Sequence, residues 1–175
     1  MTKEITAQEL NTDRFIDEKV KDIRAAVGDG MAINALSGGV DSSTVTMLGH
    51  RALGKRLKTV FIENGLMREG ESEQVVGFFR NLDVKIEIVD ARKEFFAALK
   101  GITDPEEKRE AITQTFYQNV FGRIIKESRA KHLLQGTILT YVDETVAGIK
   151  RQHNVFEQSG IDPQEAFGYR IIEAI

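Results

Sequence analysis

MAINALSGGVDSS, residues 31–43, is the stretch that sets the architecture of this chain. A short apolar run leads into two glycines, an aspartate and serines, and then Thr44, Val45, Met47, Leu48 and Leu53 recur at the spacing of an amphipathic helix. Gly38 and Gly39 carry no Cβ, so the backbone there can turn its N–H groups inward around an anion. The helix that follows brings its own unsatisfied N–H groups and the positive end of its dipole to the same place. Ser37, Ser42 and Ser43 add hydroxyl donors. Strand, glycine turn and helix in this order predict a phosphate cradle. Asp41 would repel phosphate directly, but a hard divalent cation, Mg²⁺ above all, can bridge a carboxylate to phosphate oxygens. The pattern lacks the lysine of G-x-x-x-x-G-K-S/T, so the cradle is of a different kind from that loop. For Gly-Gly alone, a turn capped by Asp and Ser is the competing reading.

Outward from the loop, the chain alternates strand and helix signals. Phe15, Ile16, Val20, Ile23 and Val27 mark a helix after a cap at Thr12 or Asp13, with residues 1–12 polar and loose before it. Residues 31–36 read as the first strand and 57–62 (LKTVFI) as a buried parallel strand. A helix over 69–82 places Val75, Val76, Phe78, Phe79 and Leu82 on one face, a third strand occupies 84–89, and 90–100 is helical again. Asp104, Pro105 and Glu107 open a long helix with a capping-box spacing, whose stripe includes Ile112, Phe116, Tyr117, Val120, Phe121, Ile124 and Ile125. These aromatic residues read as core and not as base-stacking surface, since nothing basic is interleaved with them. Residues 132–136 form a fourth strand and 169–175 a fifth, and 138–168 between them read as a mobile lid. The expectation is one α/β domain over 1–175: a doubly wound, five-stranded parallel sheet with helices on both faces and ligands at the carboxyl ends of its strands.

Composition narrows the function. The 175 residues suffice for one core. With 24 Lys and Arg against 27 Asp and Glu, net charge −3, the chain lacks the basic footprint of a nucleic-acid binder and points to a small-molecule substrate. No stretch is apolar enough for a signal or a membrane span, which gives a cytoplasmic expectation. The absence of cysteine removes disulfides, cysteine zinc sites and persulfide chemistry on this chain.

The string Ser37-Gly38-Gly39-Val40-Asp41-Ser42-Ser43 resembles the pyrophosphate loop of the N-type ATP pyrophosphatases, the PP-loop superfamily with an adenine nucleotide alpha-hydrolase-like fold. Together with VFIENGLMR (60–68), DPEEK (104–108), QGTI (135–138) and IKRQHNV (149–155), it resembles the ATP-pyrophosphatase domain of GMP synthetases over about residues 30–173. The resemblance implies that XMP attacks the α-phosphorus of MgATP, that pyrophosphate leaves into the loop, and that ammonia then displaces AMP to give GMP. It implies that Ser37, Gly39, Ser42 and Ser43 hold pyrophosphate, with Leu36, Gly38 and Val40 also in the nucleotide site, that Asp41 and Glu144 are metal ligands, and that Phe61, Ile62 and Glu63 border the adenine, with Gly136 and Thr137 at the next strand end. Glu144, Lys150 and His153 would act from the lid. The family usually has an aspartate at the positions of Glu63 and Tyr141, a second histidine at Gln152, and Gly-Gly where Phe156-Glu157 stands here. These departures fall mainly on the lid and acceptor side. A separate glutaminase subunit as ammonia source and a homodimer are further implications. So is a C-terminal dimerisation domain beyond these residues, without which the chain is expected to bind ATP and make no GMP. The alternatives are an NAD synthetase-like amidation of another acceptor and a non-catalytic adenine-nucleotide binder of the same fold.

Overall fold

The computed structural model describes residues 11–136 and 169–175. Helix α1 (Thr12–Val27) opens at Asn11, whose side chain accepts a hydrogen bond from the Arg14 N–H at 3.0 Å. The cap is therefore Asn11 and not Thr12 or Asp13, because its short amide satisfies a first-turn donor that those two, already helical, cannot reach. Val20, Ile23 and Val27 are buried on the expected stripe. From the last turn of α1, Arg24 donates to the carbonyls of Ala52 (2.9 Å) and Arg51 (3.0 Å). Those are end carbonyls of helix α2 (Val40–Leu53), so one guanidinium ties two helices together.

Strands β1 (Ala32–Ala35), β2 (Leu57–Glu63), β3 (Ile86–Asp90), β4 (His132–Gln135) and β5 (Arg170–Glu173) form one parallel sheet in the order β3-β2-β1-β4-β5. The chain starts in the middle, moves to one edge, then crosses to the other half. The point of reversal lies between β1 and β4, where the strand ends leave a crevice. Alternation along the strands sends side chains to two faces. Ile33, Val60, Ile62 and Leu133 pack with Phe95, Val120, Phe121, Ile124 and Ile125 on one side. Ala32 and Leu134 pack with Val20, Ile23, Val45 and Leu48 of α1 and α2 on the other. Leu36 and Phe61 extend that second layer under Val76 and Phe79 of helix α3 (Glu71–Arg80). Each fully buried Phe or Ile contributes about 1.5–3 kcal/mol by leaving water.

Two further expectations are corrected. Of the five apolar residues expected on one face of α3, Val76 and Phe79 are buried, but Phe78 is 61% and Leu82 42% exposed. A helix turns 3.6 residues per cycle, so Phe78 falls beside the contact stripe, and Leu82 lies past the end of the helix. The long helix also departs from a simple α-helix. After helix α4 (Arg92–Leu99), α5 (Pro105–Gln114) starts at Asp104, whose carboxylate accepts from the Glu106 and Glu107 N–H groups. The helix then widens into a π-helical stretch, Thr115–Phe121, before α6 (Gly122–Glu127). Among the described residues no helix is long and apolar enough to cross a membrane.

Candidate nucleotide site

The site begins where β1 ends. Leu36 is buried and its N–H still bonds the Val60 carbonyl at 2.8 Å, which carries the ladder one residue beyond the strand. The chain then leaves the sheet at Ser37, and residues 37–40 are exposed. Gly38 has φ +85°, a conformation that disfavours any side chain, and a Cβ there would stand 2.7 Å from Val75 Cγ2. The loop is held by its own hydroxyls. Ser42 Oγ accepts from the Ser37 N–H (3.2 Å), donates to the Gly39 carbonyl (3.1 Å) and lies 2.9 Å from Ser37 Oγ, which in turn accepts from the Gly39 N–H (3.3 Å). Gly39 is the N-cap of α2 and has no side-chain bond to the helix, so the first turn of α2 presents its N–H groups at the loop. Val40, the first residue of α2, is 81% exposed.

Beside this loop is a cavity of about 370 Å³, in the size range of small-molecule sites. One wall is the loop and the start of α2: Leu36, Ser37, Asp41, Ser42 and Val45. The floor is the strand ends, with Ala35, Phe61, Ile62, Leu133, Leu134, Gln135 and Gly136. Asn64 and Met67 close one side, and Phe116, Tyr117 and Phe121 close the side opposite α2. The result is a largely apolar slot with the hydroxyls and carboxylate of the loop and α2 along one wall, a lining that suits a base and its phosphates.

The structure brings together most of the residues singled out from sequence. Leu36, Ser37, Asp41, Ser42, Phe61, Ile62 and Gly136 line the cavity, and Gly38, Gly39 and Val40 form the exposed lip of the loop. Ser43 faces the other way, into a shallow groove with Ile16, Met47 and Phe78. Glu63 serves the fold instead, since one carboxylate oxygen accepts from the Gly65 N–H at 2.8 Å and the other bonds the Ser72 hydroxyl. That closes the turn after β2, in which Gly65 has φ +75° and packs so tightly on Phe96 that a Cβ would lie 2.5 Å from its ring. Asn64 takes the place at the cavity that Glu63 was expected to hold. Thr137, Glu144, Lys150, His153 and the expected lid over 138–168 lie outside the described residues.

Reading Phe116, Tyr117 and Phe121 as core only is corrected as well, since all three also wall the cavity. The π-helical stretch explains this. Residues five apart point to different sides of an α-helix, but a π-helix closes i to i+5, and here the Phe116 and Phe121 rings stack at 5.9 Å and 19°. Phe116 also meets Tyr117 edge-on at 4.9 Å. Burial pushes the Tyr117 hydroxyl above its ordinary value, so this wall is neutral across the physiological range. No cue in the spacing of the apolar residues announced the extra residue per turn.

The residues present also fit a bridging metal. Asp41 is the one carboxylate lining the cavity among the described residues, and among them no group of three or more His, Cys, Asp or Glu could form an all-protein cage. Mg²⁺ is ordinarily held by one or two carboxylates together with phosphate oxygens, which is what a single Asp beside an anion loop provides.

A sequence profile described as NAD synthase matches residues 10–137, most of the chain and the whole of the loop side of the site. The chain belongs to the NAD synthase family. Relatives that carry a different name are about half identical to it. The chain is 49% identical over 146 residues to a subunit of the glutamine-hydrolyzing GMP synthase of Archaeoglobus fulgidus, covering 83% of this chain and 47% of the relative. The corresponding GMP synthase subunit of Thermococcus kodakarensis is 53% identical over 144 residues, covering 82% and 47%. The chain thus spans about half the length of the curated relatives it matches. In structure it is similar to the NH3-dependent NAD synthetase of Campylobacter jejuni, TM-score 0.63 at 16% identity over 81% of this chain and 62% of that one. It is also similar to a U34-tRNA thiolase of Methanococcus maripaludis, TM-score 0.65 at 16% identity over 93% and 60%. These two likenesses show the fold alone, an α/β architecture of the kind seen here, with one parallel sheet packed on both faces.

Proposed function

We propose that the chain is the ATP-pyrophosphatase part of a GMP synthase, a ligase that adenylates XMP and then aminates it. One observation carries the reading: an anion loop at the N-terminus of α2 opens on a base-sized cavity, in a chain about half identical to GMP synthase subunits. In the proposed reaction the C2 oxygen of XMP attacks the α-phosphorus of ATP, and the bond to the β,γ-pyrophosphate breaks. Ammonia then attacks C2 and AMP leaves, giving GMP.

The work of the chain in such a transfer is positioning and charge neutralisation. The N–H groups of the loop and of the first turn of α2, with the Ser37 and Ser42 hydroxyls, would receive the departing pyrophosphate. Leu36, Phe61 and Ile62 would hold the adenine between the strand ends and the aromatic wall. Asp41 would hold Mg²⁺, whose charge neutralises the phosphate oxygens. By sequence resemblance, Glu144 would act toward metal or ATP and Lys150 toward phosphate, and His153 and Thr137 belong to the same proposed set. A separate glutaminase subunit supplying ammonia, a homodimeric assembly and a cytoplasmic site of action belong to the same reading.

The family match supports a second reading, amidation of a carboxylate acceptor as in NAD synthetases. Exchange of labelled pyrophosphate into ATP separates the two, assayed on the complete native polypeptide with Mg²⁺ and either XMP or deamido-NAD. Exchange that requires XMP is the expected result. Exchange that requires deamido-NAD overturns the GMP assignment. ATP binding with no exchange under either acceptor would make the chain a nucleotide-binding module.

A further inference from the structure

The central strand carries a side chain that packing alone does not account for. Asn34, in the middle of β1 and fully buried, stands where a parallel sheet normally has an aliphatic residue. Its neighbours across the sheet and the helix layer are Thr59 of β2, its register partner, and Thr46 of α2, both buried. The Thr59 hydroxyl donates to Asn34 Oδ1 at 2.8 Å, Asn34 Nδ2 donates to Thr46 Oγ1 at 2.7 Å, and the Thr46 hydroxyl donates to the Ser42 carbonyl at 2.7 Å. The proton order is fixed. Thr46 has spent its one proton on Ser42, so it must accept from the amide, which sets which way Asn34 points. The relay ends on the residue whose hydroxyl gathers the Ser37 N–H and the Gly39 carbonyl.

We propose that Asn34, Thr46 and Thr59 are positioning residues that hold the anion loop from beneath, setting the first turn of α2 against the end of β1. The inference deepens the functional reading above and rests on it for what the loop binds. A buried polar chain is stabilising only when every member is satisfied, and an apolar replacement of the same shape is close to neutral. Stability therefore does not require this chain, whereas the loop gains a fixed anchor at the backbone of Ser42. Helix α2 packs closely enough to make the anchor stiff: a Cβ on Gly49 would lie 2.7 Å from Leu134 Cδ1.

The test separates anchoring from packing. Thr46→Val keeps the shape and removes the hydroxyl, Thr46→Ser keeps the hydroxyl, and the triple variant Asn34→Leu, Thr46→Val, Thr59→Val makes the chain apolar throughout. Two readouts apply: hydrogen exchange of the Ser37, Gly39 and Ser43 amides in the ligand-free protein, and MgATP affinity by calorimetry. In Thr46→Val, exchange at these amides should rise and affinity fall about tenfold, the size of effect expected when a buried bond loses one partner, while Thr46→Ser stays within about twofold. The triple variant should regain the melting temperature and leave loop exchange and affinity impaired. Loop amides and affinity that recover along with the melting temperature would overturn the proposal, as would unchanged loop exchange in Thr46→Val. A wild-type protein that fails to bind MgATP would sink the functional reading instead, and the exchange data would still decide the anchor.

Discussion

Gly38 and Asp41 show how two neighbouring residues do different work in one loop. Gly38 is required by the backbone: at φ +85° any side chain is strained, and Val75 blocks the space a methyl would need. Gly38→Ala is expected to cost about 1–3 kcal/mol, the range for a residue forced into such a conformation, and thermal unfolding checks it. Stability equal to wild type would mean the loop adopts another conformation at no cost. Asp41 lines the cavity, and in the proposed reaction its charge holds Mg²⁺. Asp41→Asn keeps the shape, so the melting temperature should be unchanged while the gain in ATP affinity on adding Mg²⁺ disappears. A variant whose ATP affinity still rises with Mg²⁺ would remove Asp41 from the metal. At this scale the sequence was informative about the loop and misleading about Glu63, because a carboxylate at a strand end looks the same whether it faces a ligand or bonds the next turn.

At the scale of elements, the strands and helices were legible because apolar spacing and cap residues are local. Asp104 caps α5 as its position before Pro105 and Glu107 implies. The π-helical stretch was not legible, since the residues that wall the cavity and those that fill the core share one stripe, and only the tertiary packing makes the helix take an extra residue. Its tyrosine yields a prediction. Burial raises Tyr117, and Tyr169, just before β5, is raised chiefly by burial and further by Tyr117. Both phenols are favoured neutral in the folded protein, so their contribution is complete below the ordinary tyrosine value of 10.0 and is lost as pH rises above it. Tyrosinate absorbance should therefore lag until the protein unfolds, and Tyr117→Phe and Tyr169→Phe should each remove part of that late signal. Reversible ionisation of both residues near pH 10 with the fold intact would contradict their burial.

For the molecule as a whole, strand order is the part of the fold that local sequence signals leave open. Alternating strand and helix signals predict a parallel sheet, but that β1 lies between β2 and β4 is a long-range fact that no local pattern encodes. In the structure β1 leads directly into the glycine loop at the point where neighbouring crossovers part. The buried relay from Thr59 through Asn34 and Thr46 to Ser42 was invisible for the same reason, as its members come together only across the sheet and its covering helix. The central claim is that this sheet delivers an anion loop, a carboxylate and a base-sized cavity to one place as a site for MgATP. Its most direct test is calorimetric titration of ATP into the folded protein with and without Mg²⁺. One ATP should bind per chain, more tightly with Mg²⁺ present. Equal and negligible heat in both titrations, on a sample shown to be folded, would contradict the account.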